Sequence, residues 1–226
     1  MNTSGADGIK RVGGPHERPP VWSRGAWSAL AFALAYTLAS VPVALAAGNN
    51  EFLFYIVVMA VLGAAVAWVH VRVRLTGATL WALSVWGLLH MAGGLVPLPA
   101  GWSANADTRV LYNLWLIPGR LKYDQVVHAY GFAVTTWVCW QGLRAATHDA
   151  ARPTFGVLVL CAAAGVGFGA MNEVVEFVAT LLLPKTNVGG YENTGWDLVA
   201  NAVGAAFAAV LIRLTWRDPP PRPTSG

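Results

Sequence analysis

Charge is what this chain has least of. Only 12% of its 226 residues are Asp, Glu, Lys or Arg, against about 25% in an ordinary soluble domain. Hydrophobic residues make up 56% and gather in several runs of about 20 residues, the length that crosses a bilayer as a helix. A water-soluble globule is thereby excluded. The runs are continuous rather than alternating, which excludes a barrel, and lipid leaves helices as the other spanning structure. Cysteine is nearly absent. Cys139 and Cys161 are the two, both inside apolar runs, so neither a disulfide framework nor a cysteine metal motif can be built. They read as small apolar packing residues. No internal repeat is visible, and the net charge of +4 is scattered over loops and termini, which argues against nucleic acid as a partner.

What is present is an all-α pattern, a polytopic membrane protein with a six-helix bundle. A basic, Gly- and Pro-rich tail over 1–25 precedes a transmembrane domain over 26–217, and a Pro-rich tail over 218–226 follows. The spans are expected at Ala26–Ala46, Phe52–Val71, Gly77–Leu98, Gln125–Ala146, Thr154–Leu183 and Gly195–Trp216. The first ends in Ala44-Leu45-Ala46, a signal-peptidase-like sequence, but the run and its leading tail are both long for a cleaved signal. Eleven basic residues fall on the side of the termini, the 2–3 loop and the 4–5 loop. Four (Arg109, Arg120, Lys122 and Lys185) fall on the other. This asymmetry is expected to place both termini on the cytoplasmic side of the membrane. Gly165, Gly167 and Gly169 in span five, with Ala200 and Gly204 in span six, are spaced for close helix packing.

The fifth run holds Gly169-Ala-Met-Asn-Glu-Val-Val-Glu-Phe177. An acid at membrane depth costs about 2.5–3.5 kcal/mol on insertion scales, and Glu173 and Glu176 share one helix face. Their expected partners lie in the same leaflet. His90 is in the outer part of span three, about 12 Å from its expected end at 1.5 Å per residue. Asp124 and His128 are one turn apart at the start of span four, and Asp197 and Asn201 one turn apart at the start of span six. Carboxylates and imidazoles are the ligand set of Zn, Mn or Fe. A divalent metal explains how the acids coexist charged; without one they share a proton, an arrangement suited to acid–base work. His90, Asp124, His128 and Glu173 are the candidate metal ligands, and Glu176 and Asp197 the candidate bases.

Each residue also has a structural reading. Asp124 and Asp197 are placed to cap helices, His90 to pack with a hydrogen bond, and the two glutamates to bond between helices. His70 and His148 read as solvated, as do Arg109, Arg120 and Lys122. Tyr191-Glu192-Asn193-Thr194 reads as an outer loop, either an ordinary one or a lid that adds ligands from above the site, and the segment over 99–123 as a surface or re-entrant segment.

Four motifs, His90-Met-Ala-Gly-Gly94, Tyr123-Asp124-Gln-Val-Val-His128-Ala-Tyr-Gly131, Asn172-Glu173-Val-Val-Glu176-Phe177 and Asn193-Thr-Gly-Trp196-Asp197-Leu, resemble those of the bacterial YjdF-like inner-membrane family. The resemblance runs from Leu80 to Leu211. More distantly, Asp124-x-x-x-His128 and Asp197-Leu-Val-Ala-Asn201-Ala-Val-Gly204 resemble VanZ-like proteins. The chain departs from the YjdF-like pattern at Leu95-Val96-Pro97, where that pattern has a His- and Tyr-rich run, and at Asn193, where an acid is common. The resemblance implies a six-span bundle and these site positions but no particular reaction; the VanZ-like proteins, linked to glycopeptide resistance, imply envelope work by analogy.

Three functions follow as expectations. The leading one is a metal-dependent or acid–base enzyme with an outward-facing site, acting on a membrane lipid or lipid-linked substrate. The second is a small-substrate or proton-coupled transporter, disfavoured because transporters are commonly built from repeats with sites at the midplane. The third is a non-catalytic envelope assembly or resistance factor.

Overall fold

The computed structural model describes residues 20–106 and 108–217. The terminal tails expected over 1–25 and 218–226 fall mostly or wholly outside the described residues. Six helices carry the fold: α1 (Arg24–Ala46), α2 (Asn50–Val73), α3 (Gly77–Leu95), α4 (Tyr123–Ala146), α5 (Phe155–Leu182) and α6 (Tyr191–Thr215). Four begin on a capping side chain, as helix N-termini require. Ser23, Asn49, Thr76 and Thr154 accept from the backbone N–H of Ala26, Phe52, Thr79 and Val157.

Five helices are long and apolar enough to cross a membrane. The exception is α4, which has 24 residues but carries Asp124, Gln125, His128, Thr135, Thr136, Gln141 and Arg144. Its position accounts for its polarity. It packs against α3, α5 and α6, and Gln125, His128 and Thr136 are buried among them. A helix wrapped in protein needs less apolar surface than one bathed in lipid. Tyr123 and Tyr130 donate to the carbonyls of Leu89 and Ala82, at 2.9 and 3.1 Å. These bonds fix α4 along α3. On the other flank α6 comes so near that a Cβ on Gly204 would collide with the Ala129 carbonyl. This is the close packing the small residues predict. Gly165 likewise faces Thr136 and Gly169 faces Asn201, whereas Gly167 meets nothing.

Between α3 and α4 the chain folds into an ordered cap rather than a simple surface segment. It contains a short 3-10 helix (Leu111–Asn113) and an antiparallel hairpin, β1 (Trp115–Ile117) with β2 (Leu121–Lys122), a small departure from all-α. Arg109, expected to be merely solvated, ties the cap together. Its Nη2 donates to the carbonyls of Pro99, Ala100 and Trp102 at 2.6, 3.3 and 2.8 Å. The third helix ends at Leu95 rather than Leu98, because Pro97 bridges to Val110 and Leu98 N–H bonds the Arg109 carbonyl. Asn113 joins the cap to the α5–α6 connection through Asn187 Oδ1 at 2.9 Å. Asn187 N–H in turn bonds Glu51 of α2 at 2.7 Å. One end of the bundle is therefore closed by three connected segments.

At the opposite end His70 is not solvated. It is buried, its Nε2 is 2.8 Å from the Val21 carbonyl, and Trp22 packs edge-on against its ring. His148 lies exposed in the α4–α5 turn, as expected.

Candidate functional site

Beneath the cap, α4, α5 and α6 bring their polar residues together. His128, one turn into α4, is the centre. Its Nε2 is 3.6 Å from Asp124 Oδ1, and its Nδ1 is 3.7 Å from Glu173 Oε1 on α5 and 3.1 Å from Asn201 Oδ1 on α6. A carboxamide oxygen only accepts, so Nδ1 carries a proton in this bond, and Nε2 is the ring nitrogen turned toward Asp124. Two groups of ligand-type atoms share this imidazole, Asp124–His128–Asp197 and His128–Glu173–Glu176. In each, all atoms lie within 4.8 Å of one another.

Asp197 is fully buried, and it is no helix cap. The sixth helix starts at Tyr191, which turns Tyr191-Glu192-Asn193-Thr194 from the expected loop into a first turn. Asn193 then stands one turn above Asp197 and donates from Nδ2 to its Oδ2 at 2.5 Å. Lys122 Nζ donates to Asn193 Oδ1. The expected solvated lysine is thus buried, at 5% exposure, and also lies 3.6 Å from Asp124 Oδ2. Asp124 belongs to the first turn of α4, after Lys122, and so does not cap it either.

Several buried polar atoms in the cluster make no hydrogen bond of ordinary length: both oxygens of Glu173, whose Oε1 has only the longer contact to His128, Oδ1 of Asp197 and Nδ2 of Asn201. Such atoms are costly to bury and in native sites point to an ion, water or reacting group. Glu176 differs, since its Oε1 accepts from Asn172 Nδ2 at 3.0 Å. Four carboxylates (Asp124, Glu173, Glu176 and Asp197) face one permanent cation within this group, Lys122.

His90 stands outside both ligand groups. Its Nδ1 is engaged by the Tyr112 hydroxyl, and its ring sits among Tyr55, Trp86 and Tyr112. Burial pushes the Tyr112 phenol well above the usual tyrosine range, and the Asp124 and Glu176 carboxylates add to the shift. A protonated phenol can donate to His90 Nδ1 or accept from it, so the two share one hydrogen bond whose direction follows the histidine tautomer. This contact ties the cap's 3-10 helix to α3. Sequence reasoning missed Lys122, Tyr112 and Glu51. Each lies in or beside a loop, where a polar residue gives no signal of burial.

No curated protein and no solved structure matches the chain. Residues 28–218 match the family described as Predicted membrane protein (DUF2238), a span that includes all six helices from early α1 onward and every residue of the cluster. The chain therefore belongs to the DUF2238 family of predicted membrane proteins.

Proposed function

We propose that the cluster is a divalent-metal site at the outward end of the bundle, and that the protein uses it to hydrolyse or transfer a group on an envelope lipid or lipid-linked substrate. The observation that carries this reading is Asp197. It is fully buried, one oxygen is fixed by Asn193, the other makes no hydrogen bond, and a carboxylate oxygen lies within 4.8 Å of ligand atoms of Asp124 and His128.

In this reading Asp124, His128 Nε2 and Asp197 hold the ion, a three-ligand set that leaves a coordination position open. The ion would supply Lewis-acid polarisation of a substrate oxygen. Asn201 fixes the tautomer, as outer partners of ligating histidines do. Lys122 and Asn193 orient Asp197. Glu173, with neither oxygen in a hydrogen bond and Oε1 3.7 Å from the ring, is the base, and Glu176, tethered to Asn172, supports it. Compared with the sequence expectation, His90 and Glu173 leave the ligand set and Asp197 enters it. A buried divalent cation also offsets the excess of carboxylates over Lys122.

Six spans with both termini in the cytoplasm, α4 included, complete the proposal. The loop charges support this orientation, because the cap end has few basic residues and the other end many. A substrate arriving at the outward end comes from the outer leaflet or beyond it, which makes envelope lipids the natural class.

The test incubates the full-length protein in proteoliposomes with an envelope lipid extract and follows the lipids by mass spectrometry. Conversion that chelator stops, that added metal restores and that Glu173→Gln abolishes supports the proposal. Conversion indifferent to chelator contradicts the metal role, and no conversion by metal-loaded protein contradicts the enzyme.

A further inference from the structure

The opposite end of the bundle contains a cavity separate from the His128–carboxylate cluster. It has a volume of about 450 Å³ and opens where the C-terminal ends of α4 and α6 meet the α4–α5 turn. That volume is within the range of about 300–1,000 Å³ seen for small-ligand sites. Its walls are aromatic and basic: Trp137, Trp140 and Trp216, with Arg144 and Arg217. The aromatic rings belong to a packed base in which Trp140 and Trp216 meet edge-on at 5.7 Å above Leu158, Cys161 and Ile212.

The arginines are organised rather than merely present. The guanidinium carbons of Arg144 and Arg152 lie 5.3 and 5.7 Å from the Trp216 ring centre, a cation–π arrangement. Arg144 also pairs with Asp149 at 2.6 Å, yet its Nε is buried without a partner. Asp149 reaches that position through a turn in which His148 and Asp149 both have positive φ, 49° and 63°. This is an unfavourable conformation for side-chain-bearing residues. The turn therefore sets one carboxylate against an arginine that still has a donor to offer, with Arg217 in the same cavity wall.

We propose that this cavity binds the net-negative headgroup of an anionic membrane phospholipid, whose phosphate has no headgroup cation to compete with the arginines. Charge complementarity argues for the headgroup, as arginine presents a planar fork suited to phosphate oxygens. The surroundings argue for a lipid rather than a free ion. Trp216 caps α6 and Trp137 and Trp140 lie in the last three turns of α4, near the level where indole rings partition to headgroups, and basic pockets between helix ends are lipid-headgroup sites by the same physics. Loop charges that only set topology need no cavity and no aromatic wall. Asp149 then acts as a resident competitor, occupying Arg144 when the lipid is absent.

The test uses full-length protein and native mass spectrometry with phosphatidylglycerol and phosphatidylcholine of equal chains. Phosphatidylglycerol is expected to be retained about tenfold more strongly. Arg144→Gln with Arg217→Gln should remove the preference. Asp149→Asn should strengthen retention severalfold, a gain that a purely structural Arg144–Asp149 pair does not predict. It keeps the proposal testable even if the double variant fails to fold. Equal retention of the two lipids overturns the proposal, as does a preference unchanged in Asp149→Asn. Inorganic phosphate that binds while neither lipid is preferred also overturns it, by assigning the cavity to a free anion.

Discussion

Asn201 is buried between two helices with its carbonyl on His128 and its amide nitrogen unpaired. If it fixes the imidazole for a metal, Asn201→Ala should weaken metal affinity about 10–100-fold, the usual cost of losing an outer partner of a ligating histidine. Competition against a calibrated chelator measures this. A purely structural Asn201 would instead change the melting temperature and leave affinity alone. At this scale the sequence is informative where a residue is out of place. Glu173 and Glu176 interrupt an apolar run, and their neighbours Asp124, His128 and Asp197 occupy the matching ends of other runs. It is uninformative where burial depends on a distant partner. Lys122 looks like any loop lysine until Asn193, 71 positions later, takes its hydrogen bond.

The helices themselves were legible from apolar length and caps, and their ends less so. Gly190 gives α6 no side-chain cap, so Asp197, seven residues in, looks like the better start. The close α4–α6 approach is the element-scale feature most open to test. Gly204→Val forces a side chain into the Ala129 carbonyl, and overpacking of this kind costs about 1–3 kcal/mol. A lower melting temperature in detergent is expected, while Gly167→Ala, facing open space, should change nothing. The cap is the second test. Without its three carbonyl contacts, Arg109→Ala should raise amide exchange between residues 99 and 114 and leave the helices protected. Uniform exchange in both proteins would show that Arg109 does not hold the cap.

For the whole molecule, composition indicated a helical membrane protein, and family membership agrees. The polar hub α4 was harder to place, because mean hydropathy treats a helix as though lipid surrounded it. Here Gln125, His128 and Thr136 are covered by other helices. The proposal that α4 crosses with the rest has a direct test, since residues 116 and 150 flank it. In a background with Cys139 and Cys161 replaced by Ala, Leu116→Cys should react with an impermeant thiol reagent in intact cells. Ala150→Cys should react only after permeabilisation. Labelling of both from one side would contradict a crossing α4.

The proposed function requires Asp124, His128 and Asp197 to hold an ion, and metal content measures that most directly. Full-length protein purified without chelator should hold about one divalent ion per chain. His128→Ala and Asp197→Asn should lose it, and Glu173→Gln and His90→Phe should keep it. A folded wild-type protein that neither carries a stoichiometric metal nor takes one up on titration would contradict the account, as would variants at His128 and Asp197 that retain it.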